Sequence, residues 1–96
     1  MAAYVIAQVD IKDPERYAEY IKMVPATVTQ YGGKFIARGG NAEVLEGEKQ
    51  LPQRLVIIEF ESMERAKAWW ASDEYREAKA LRQATSNGTL FLVDGM

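Results

Sequence analysis

Glu59 is the residue of this chain best suited to moving a proton. It stands in the run Arg54-Leu55-Val56-Ile57-Ile58-Glu59-Phe60, and strand alternation puts it on one face with Leu55 and Ile57. That face is assigned to a barrel interior, where desolvation would raise the carboxyl pKa toward the range useful for acid–base work. Read without chemistry, Glu59 is half of a structural ion pair with Arg38 or another cation. Arg38, in Lys34-Phe35-Ile36-Ala37-Arg38-Gly39-Gly40, presents a planar fork that can grip a carboxylate or phosphate-like oxyanion through two hydrogen bonds. Its plainer role is a salt bridge to Glu59 or Glu61. Gly39 and Gly40 point to a bulge or a close backbone approach, which would keep a pocket beside Arg38 open. Arg54 could join such a pocket, although pairing with Glu46 across a hairpin, worth roughly 0.2–1 kcal/mol, accounts for it as well. Trp69 and Trp70, about 100° apart on a helix, cannot both enter the core, so one could line a cleft or a dimer contact. Tyr4, Tyr17 and Tyr20 could turn hydroxyls into a pocket or pack with one wet end.

The composition removes other chemistries. The chain has no histidine and no cysteine, which takes away the usual transition-metal ligands, the commonest general base and thiol catalysis. No metal site and no cofactor is expected. Ser62 and Ser72 read as helix caps and Ser86 as a turn residue, and none has a base for a triad. Neither Gly32-Gly33 nor Gly39-Gly40 has phosphate-loop spacing. A net charge of -2, with 12 basic residues scattered and in no run, argues against nucleic acid. No apolar run approaches the roughly 18 residues of a membrane span. A secretory leader is not expected ahead of the first strand. With no disulfide framework either, the expected compartment is the cytoplasm.

The elements that must position these residues follow from periodicity. Tyr4–Val9 is rich in β-branched and aromatic residues and reads as a strand. Asp13 caps a helix with Pro14 at its first position, and Tyr17, Tyr20, Ile21, Val24, Val28 and Tyr31 form its apolar stripe. Pro25 should kink or split that helix near Met23-Val24, and Gly32-Gly33 should end it. A long hairpin follows, with residues 47–53 as its loop and Glu46 opposite Arg54. Ser62 opens a second helix, and Ser72-Asp73-Glu74 marks a break in it. Beyond that break Tyr75, Ala78, Leu81 and Arg82 continue an apolar stripe. Asn87-Gly88 turn the chain into a last strand, Thr89–Val93.

The order β-α-β-β-α-β is the ferredoxin-like α+β arrangement, a single domain over residues 1–96. Right-handed crossovers place the first and third strands side by side in a four-stranded antiparallel sheet with both helices on one face. Neither central strand alternates cleanly to polar residues on its other face. A two-fold homodimer with sheets face to face, forming a dimeric α+β barrel, would cover it.

The run Ala37-Arg38-Gly39-Gly40, then Leu45-Glu46-Gly47, Arg54 and Ile58-Glu59-Phe60 with Ser62, resembles a bacterial family, domain of unknown function 1330. That family lies in the dimeric α+β barrel superfamily. Tyr4-Val5, Tyr17, Gly32-Gly33, the Trp69 region, Ser72, Glu74-Tyr75 and Arg82 extend the resemblance over nearly the whole chain. Glu61 stands where the family usually has proline, and Trp70 where it usually has tyrosine. The superfamily includes cofactor-free monooxygenases, muconolactone-type isomerases and stress-responsive proteins, a breadth that the fold alone permits. The resemblance implies a small-molecule-binding homodimer. One reading is a cofactor-free enzyme of isomerase or monooxygenase type that uses Glu59 and Arg38 on a small anionic or aromatic ligand. The other is a non-catalytic ligand-binding or stress-related protein of the same fold. An RNA-recognition module shares the topology, but Arg54–Phe60 lacks the Gly-aromatic pattern that stacks bases.

Overall fold

Alternation in the two central strands sets the layers. The computed structural model describes residues 2–48 and 50–96. Strand β1 spans Ala3–Ile11 and β3 spans Arg54–Phe60, and they pair antiparallel from Ala3↔Phe60 to Val9↔Arg54. Strands β2 (Lys34–Arg38) and β4 (Ser86–Asp94) flank them in the order β2-β3-β1-β4. Val5, Ala7, Val9, Val56, Ile58 and Phe60 are buried beneath helices α1 (Pro14–Gln30), α2 (Met63–Trp70) and α3 (Asp73–Thr85). The architecture is ferredoxin-like, with the second helix broken in two.

That break is a cap at work. The Ser72 hydroxyl donates to the Trp69 carbonyl at 2.7 Å and accepts the Tyr75 N–H at 3.1 Å, so one side chain ends α2 and begins α3. Asp13 and Ser62 cap α1 and α2 in the same manner, accepting from the N–H groups of Arg16 and Arg65.

Four local expectations are corrected. First, α1 is not split at Pro25. Proline has no N–H to give the Ile21 carbonyl one turn back, but Arg38 Nη2 donates to that oxygen at 2.8 Å and fills the gap. Second, the bulge lies at Ile36, between Phe35 and Ala37, and not at Gly39-Gly40. Third, β2 ends at Arg38 and β3 starts at Arg54, so Glu46 lies in an exposed segment and does not pair with Arg54. Positive φ at Gly39 (72°) and Gly47 (103°) breaks any strand there. At its far end, Gln53 exchanges hydrogen bonds with Asp10 Oδ1 (3.0 Å) and the Ile11 N–H (2.8 Å). Lys49, inside the expected loop, lies outside the described residues. Fourth, the chain enters β4 directly from α3, and Asn87 and Gly88 pair with Asp10 and Val9 as strand residues and make no turn. Ser86 is buried there, its hydroxyl donating to the Arg82 carbonyl.

The other sheet face is open. Ile36, Phe91 and Val93 are 52%, 49% and 46% exposed, and Ile6, Leu55 and Ile57 lie between these edges. No helix among the described residues is long and apolar enough to cross a membrane.

Candidate functional site

The bulge at Ile36 decides which charged residues can meet. Lys34 pairs with Glu59 on the open face, and Phe35 with Ile58 on the helix face. The extra residue shifts the alternation, so Arg38 pairs with Val56 and turns toward the helices. Without it Arg38 would pair with Leu55 and lie on the same face as Glu59, two side-chain positions along the strand. Instead Glu59 binds Lys34 at 3.1 Å, with side-chain exposures of 25% and 71%, and Tyr4 lies opposite it on β1. Glu59 and Arg38 therefore occupy opposite faces of the sheet.

An ion pair this exposed contributes under about 1 kcal/mol, whereas a buried one costs about 3–5 kcal/mol to break. Glu59→Gln is accordingly expected to lower stability by less than about 1 kcal/mol in chemical denaturation. A loss near the larger figure would mean that Glu59 and Lys34 are buried in the assembled protein.

The helix side holds a different constellation. A cavity of about 20 Å³ lies between the sheet and α1, α2 and α3, walled by Val5, Val9, Val56, Ile58 and Leu90. Its polar lining is Tyr17, Tyr20, Trp69, Arg38, Arg54 and Arg82, with no Asp, Glu or Lys among the described residues. Arg82 is only 6% exposed. Its Nε donates to the Tyr75 hydroxyl at 3.3 Å, and that hydroxyl lies 2.9 Å from the hydroxyl of Tyr20. The ion pairs among the described residues are Lys34–Glu59 and Arg76–Asp73, so none of the three cavity arginines has a carboxylate partner.

Arg38 is partly committed elsewhere, through the Ile21 carbonyl and a guanidinium 4.5 Å from the Phe35 ring centre. Arg54 rests against Gly39, where an added Cβ would collide with its Nη1. Trp69 forms the floor, stacked on Tyr75 at 4.1 Å, with its indole N–H donating to Thr27 Oγ1 at 3.0 Å. Burial raises the pKa of Tyr17, while the guanidinium charges of Arg54 and Arg82 beside its hydroxyl pull it back. Burial pushes Tyr20 far up, and the Tyr75 hydroxyl adds to the effect.

Of the residues singled out in the sequence, Tyr17, Tyr20, Arg38, Arg54 and Trp69 meet at this cavity, and Gly39 supports Arg54. Gly40 has open space beside it, and Tyr4 and Glu59 face the other way. Trp70 is 47% exposed and lines a groove with Phe91, its ring 3.9 Å from Lys79 Nζ. Sequence reasoning passed over Arg82 and Tyr75. The signal was an arginine on the apolar stripe Tyr75-Ala78-Leu81, where a cation has no structural reason to stand unpaired.

The sheet order and the helix layer define a ferredoxin-like α+β protein with a cation-lined cavity under its helices. The chain belongs to the family described as domain of unknown function DUF1330, whose model matches residues 2–96. A protein of unknown function from Rhodopseudomonas palustris shares the fold at a TM-score of 0.80 and 20% identity, over 99% of this chain and 82% of that one. A dimeric ferredoxin-like protein of unknown function from Jannaschia is similar at a TM-score of 0.76 and 11% identity, over 99% and 100%. A cofactor-independent oxygenase from Streptomyces nogalater is similar at 0.66 and 9%, over 99% and 93%. At these identities the likeness is one of fold. No curated protein matches the chain.

Proposed function

We propose that this protein is a homodimer, closed through its open sheet face, that binds a small anionic or aromatic molecule in the helix-side cavity of each protomer. The observation that carries the reading is Arg82, 6% exposed and without a carboxylate among the described residues. No buried side-chain nitrogen or oxygen among the described residues is without a partner, so the terminal nitrogens of Arg82 stay reachable by water, and an anion there would pair with an otherwise enclosed cation. Arg54, Arg38, Tyr17 and Trp69 complete the binding wall. The activity is that of a cofactor-free enzyme, isomerase or monooxygenase in type. This fits the stacked Trp69–Tyr75 floor and the Streptomyces neighbour's description as a cofactor-independent oxygenase. Glu59 would serve only a ligand held between the two sheets of the dimer. A non-catalytic ligand-binding role is favoured by one observation: the cavity of about 20 Å³ holds little more than a water as it stands. A cytoplasmic setting fits the lack of cysteine, and a bacterial one fits the Rhodopseudomonas and Streptomyces sources of the neighbours.

A metabolite screen read by thermal shift tests the ligand, since anything that binds only the folded state raises its melting temperature. A single class that raises it, and that the chain converts, supports the enzyme. Binding without conversion supports the alternative, and no binder at all removes the site.

The dimer rests on the exposed Ile36, Phe91 and Val93 and on the Jannaschia neighbour's description as dimeric. Sedimentation is expected to give a dimer at micromolar concentration. Ile57→Asp, which places a charge at the centre of the open face, is expected to give a monomer. A wild-type monomer ends that part of the reading.

A further inference from the structure

We propose that the ligand of the helix-side cavity is a small monocarboxylate with an apolar body, its carboxylate held between Arg54 and Arg82 beside the Tyr17 hydroxyl. The proposal rests on reading that cavity as a ligand site and names what the site selects.

Charge comes first. The lining holds three guanidiniums and no acid. A cationic ligand would add to their mutual repulsion, and a neutral one would leave it unrelieved. An anion bridging two of them removes it.

Which two follows from their existing partners. Arg38 already spends a donor on the carbonyl freed by Pro25 and lies over Phe35. Arg82 uses only its Nε, on Tyr75, and its two terminal nitrogens have no protein partner among the described hydrogen bonds. Arg54 is half-buried, and the side-chain group it bears on is the Tyr17 hydroxyl, to which it is close enough to hydrogen-bond. Both line the cavity together with Tyr17, and the charges of both act on its hydroxyl. A carboxylate has two coplanar oxygens that match such forks.

The walls argue against phosphate. Its further oxygens and second charge call for backbone N–H groups, a lysine or a helix N-terminus. Among the described residues the lining offers no glycine and no lysine, and beyond the polar groups it is Ala, Val, Ile, Leu and Phe. Those walls suit an apolar body.

Access falls to Arg54. The present cavity admits about one water, so a carboxylate must displace a side chain. Arg54 is half-buried and rests against Gly39, a glycine of positive φ at the start of the segment joining β2 to β3.

The test uses the full protein, with benzoate, benzamide and inorganic phosphate as probes at matched ionic strength, read by thermal shift and calorimetry. Benzoate is expected to raise the melting temperature in a dose-dependent way, while benzamide and phosphate leave it unmoved. Arg54→Met and Arg82→Met are each expected to weaken benzoate at least about tenfold, and Arg38→Met less than about threefold. If Arg82→Met does not fold, Arg54→Met carries the comparison. Gly39→Ala, which pushes Arg54 from its seat, should change benzoate affinity without touching the ligand. Benzamide binding as tightly as benzoate overturns the carboxylate class and leaves the ligand site standing. Phosphate binding more tightly overturns it as well, as does benzoate affinity that survives the loss of Arg54. No response to benzoate overturns the proposal. The wider reading of the cavity falls with it only if the metabolite screen is also blank.

Discussion

Trp69→Ala is expected to cost about 3–5 kcal/mol of stability, and Trp70→Ala less than about 1 kcal/mol. The two residues are neighbours on α2, so propensity and charge are the same for both. What differs is where each ring goes. Trp69 is 1% exposed, with its ring centre 4.1 Å from that of Tyr75 and 5.5 Å from that of Phe60. Its indole N–H is matched by Thr27 Oγ1, which itself donates to the Val24 carbonyl at 2.8 Å. Truncation leaves a large cavity and removes the bond that the Thr27 hydroxyl accepts, and rigid neighbours from the sheet and two helices cannot close the hole. Trp70 is 47% exposed and covers only a surface groove. Small domains are stable by about 5–15 kcal/mol, so the first variant should stand at the edge of folding while the second melts close to the parent. Urea denaturation followed by circular dichroism separates them, and comparable losses would show that Trp70 is buried in the assembled protein.

Above about pH 10 stability is expected to fall by up to about 1.4 kcal/mol per pH unit for each of Tyr17 and Tyr20. Burial raises both hydroxyl pKa values above the ordinary 10.0. A raised folded-state pKa means that the unfolded chain gives up its proton first. The stabilisation is thus complete below pH 10 and drains away as pH climbs from there toward the folded values. Tyr20 should dominate, since Arg54 and Arg82 partly offset the shift at Tyr17. Tyr20→Phe removes that titration and flattens the alkaline limb. At neutral pH it costs about 1 kcal/mol, through the lost hydrogen bond to Tyr75. Denaturation midpoints measured from pH 8 to pH 11.5 would show the two limbs. A parent protein equally stable across that range would mean that the phenols ionise as easily folded as unfolded.

An anion in the cavity should act against this alkaline loss only indirectly. It would compete with a Tyr17 phenolate for the same two guanidiniums, so benzoate protection should fade as the pH passes the tyrosine range. This links the titration to the site through residues that are already adjacent.

Local chemistry made much of the molecule legible before any coordinates. Alternation in Tyr4–Val9 and Arg54–Phe60 placed Val5, Val9, Val56 and Ile58 on one face, because strand parity needs no knowledge of the partner. Asp13, Ser62 and Ser72 were readable as caps because a capping side chain bonds its own chain three residues on. The ferredoxin-like order followed from those elements, as did the open apolar face. Tertiary structure alone decided the composition of the cavity. Arg38 turns away from the face that carries Glu59 because one unpaired residue, Ile36, shifts the register, and no local signal in Phe35-Ile36-Ala37 marks which residue will go unpaired. Pro25 leaves α1 in one piece because a side chain from β2 reaches the carbonyl it frees, a contact between residues 17 apart in sequence. Arg82 becomes a candidate anchor only when α3 sets it against Tyr75 and away from every described acid. Whether a buried charge is paired is a property of the whole packed arrangement, and the chain's own order cannot state it.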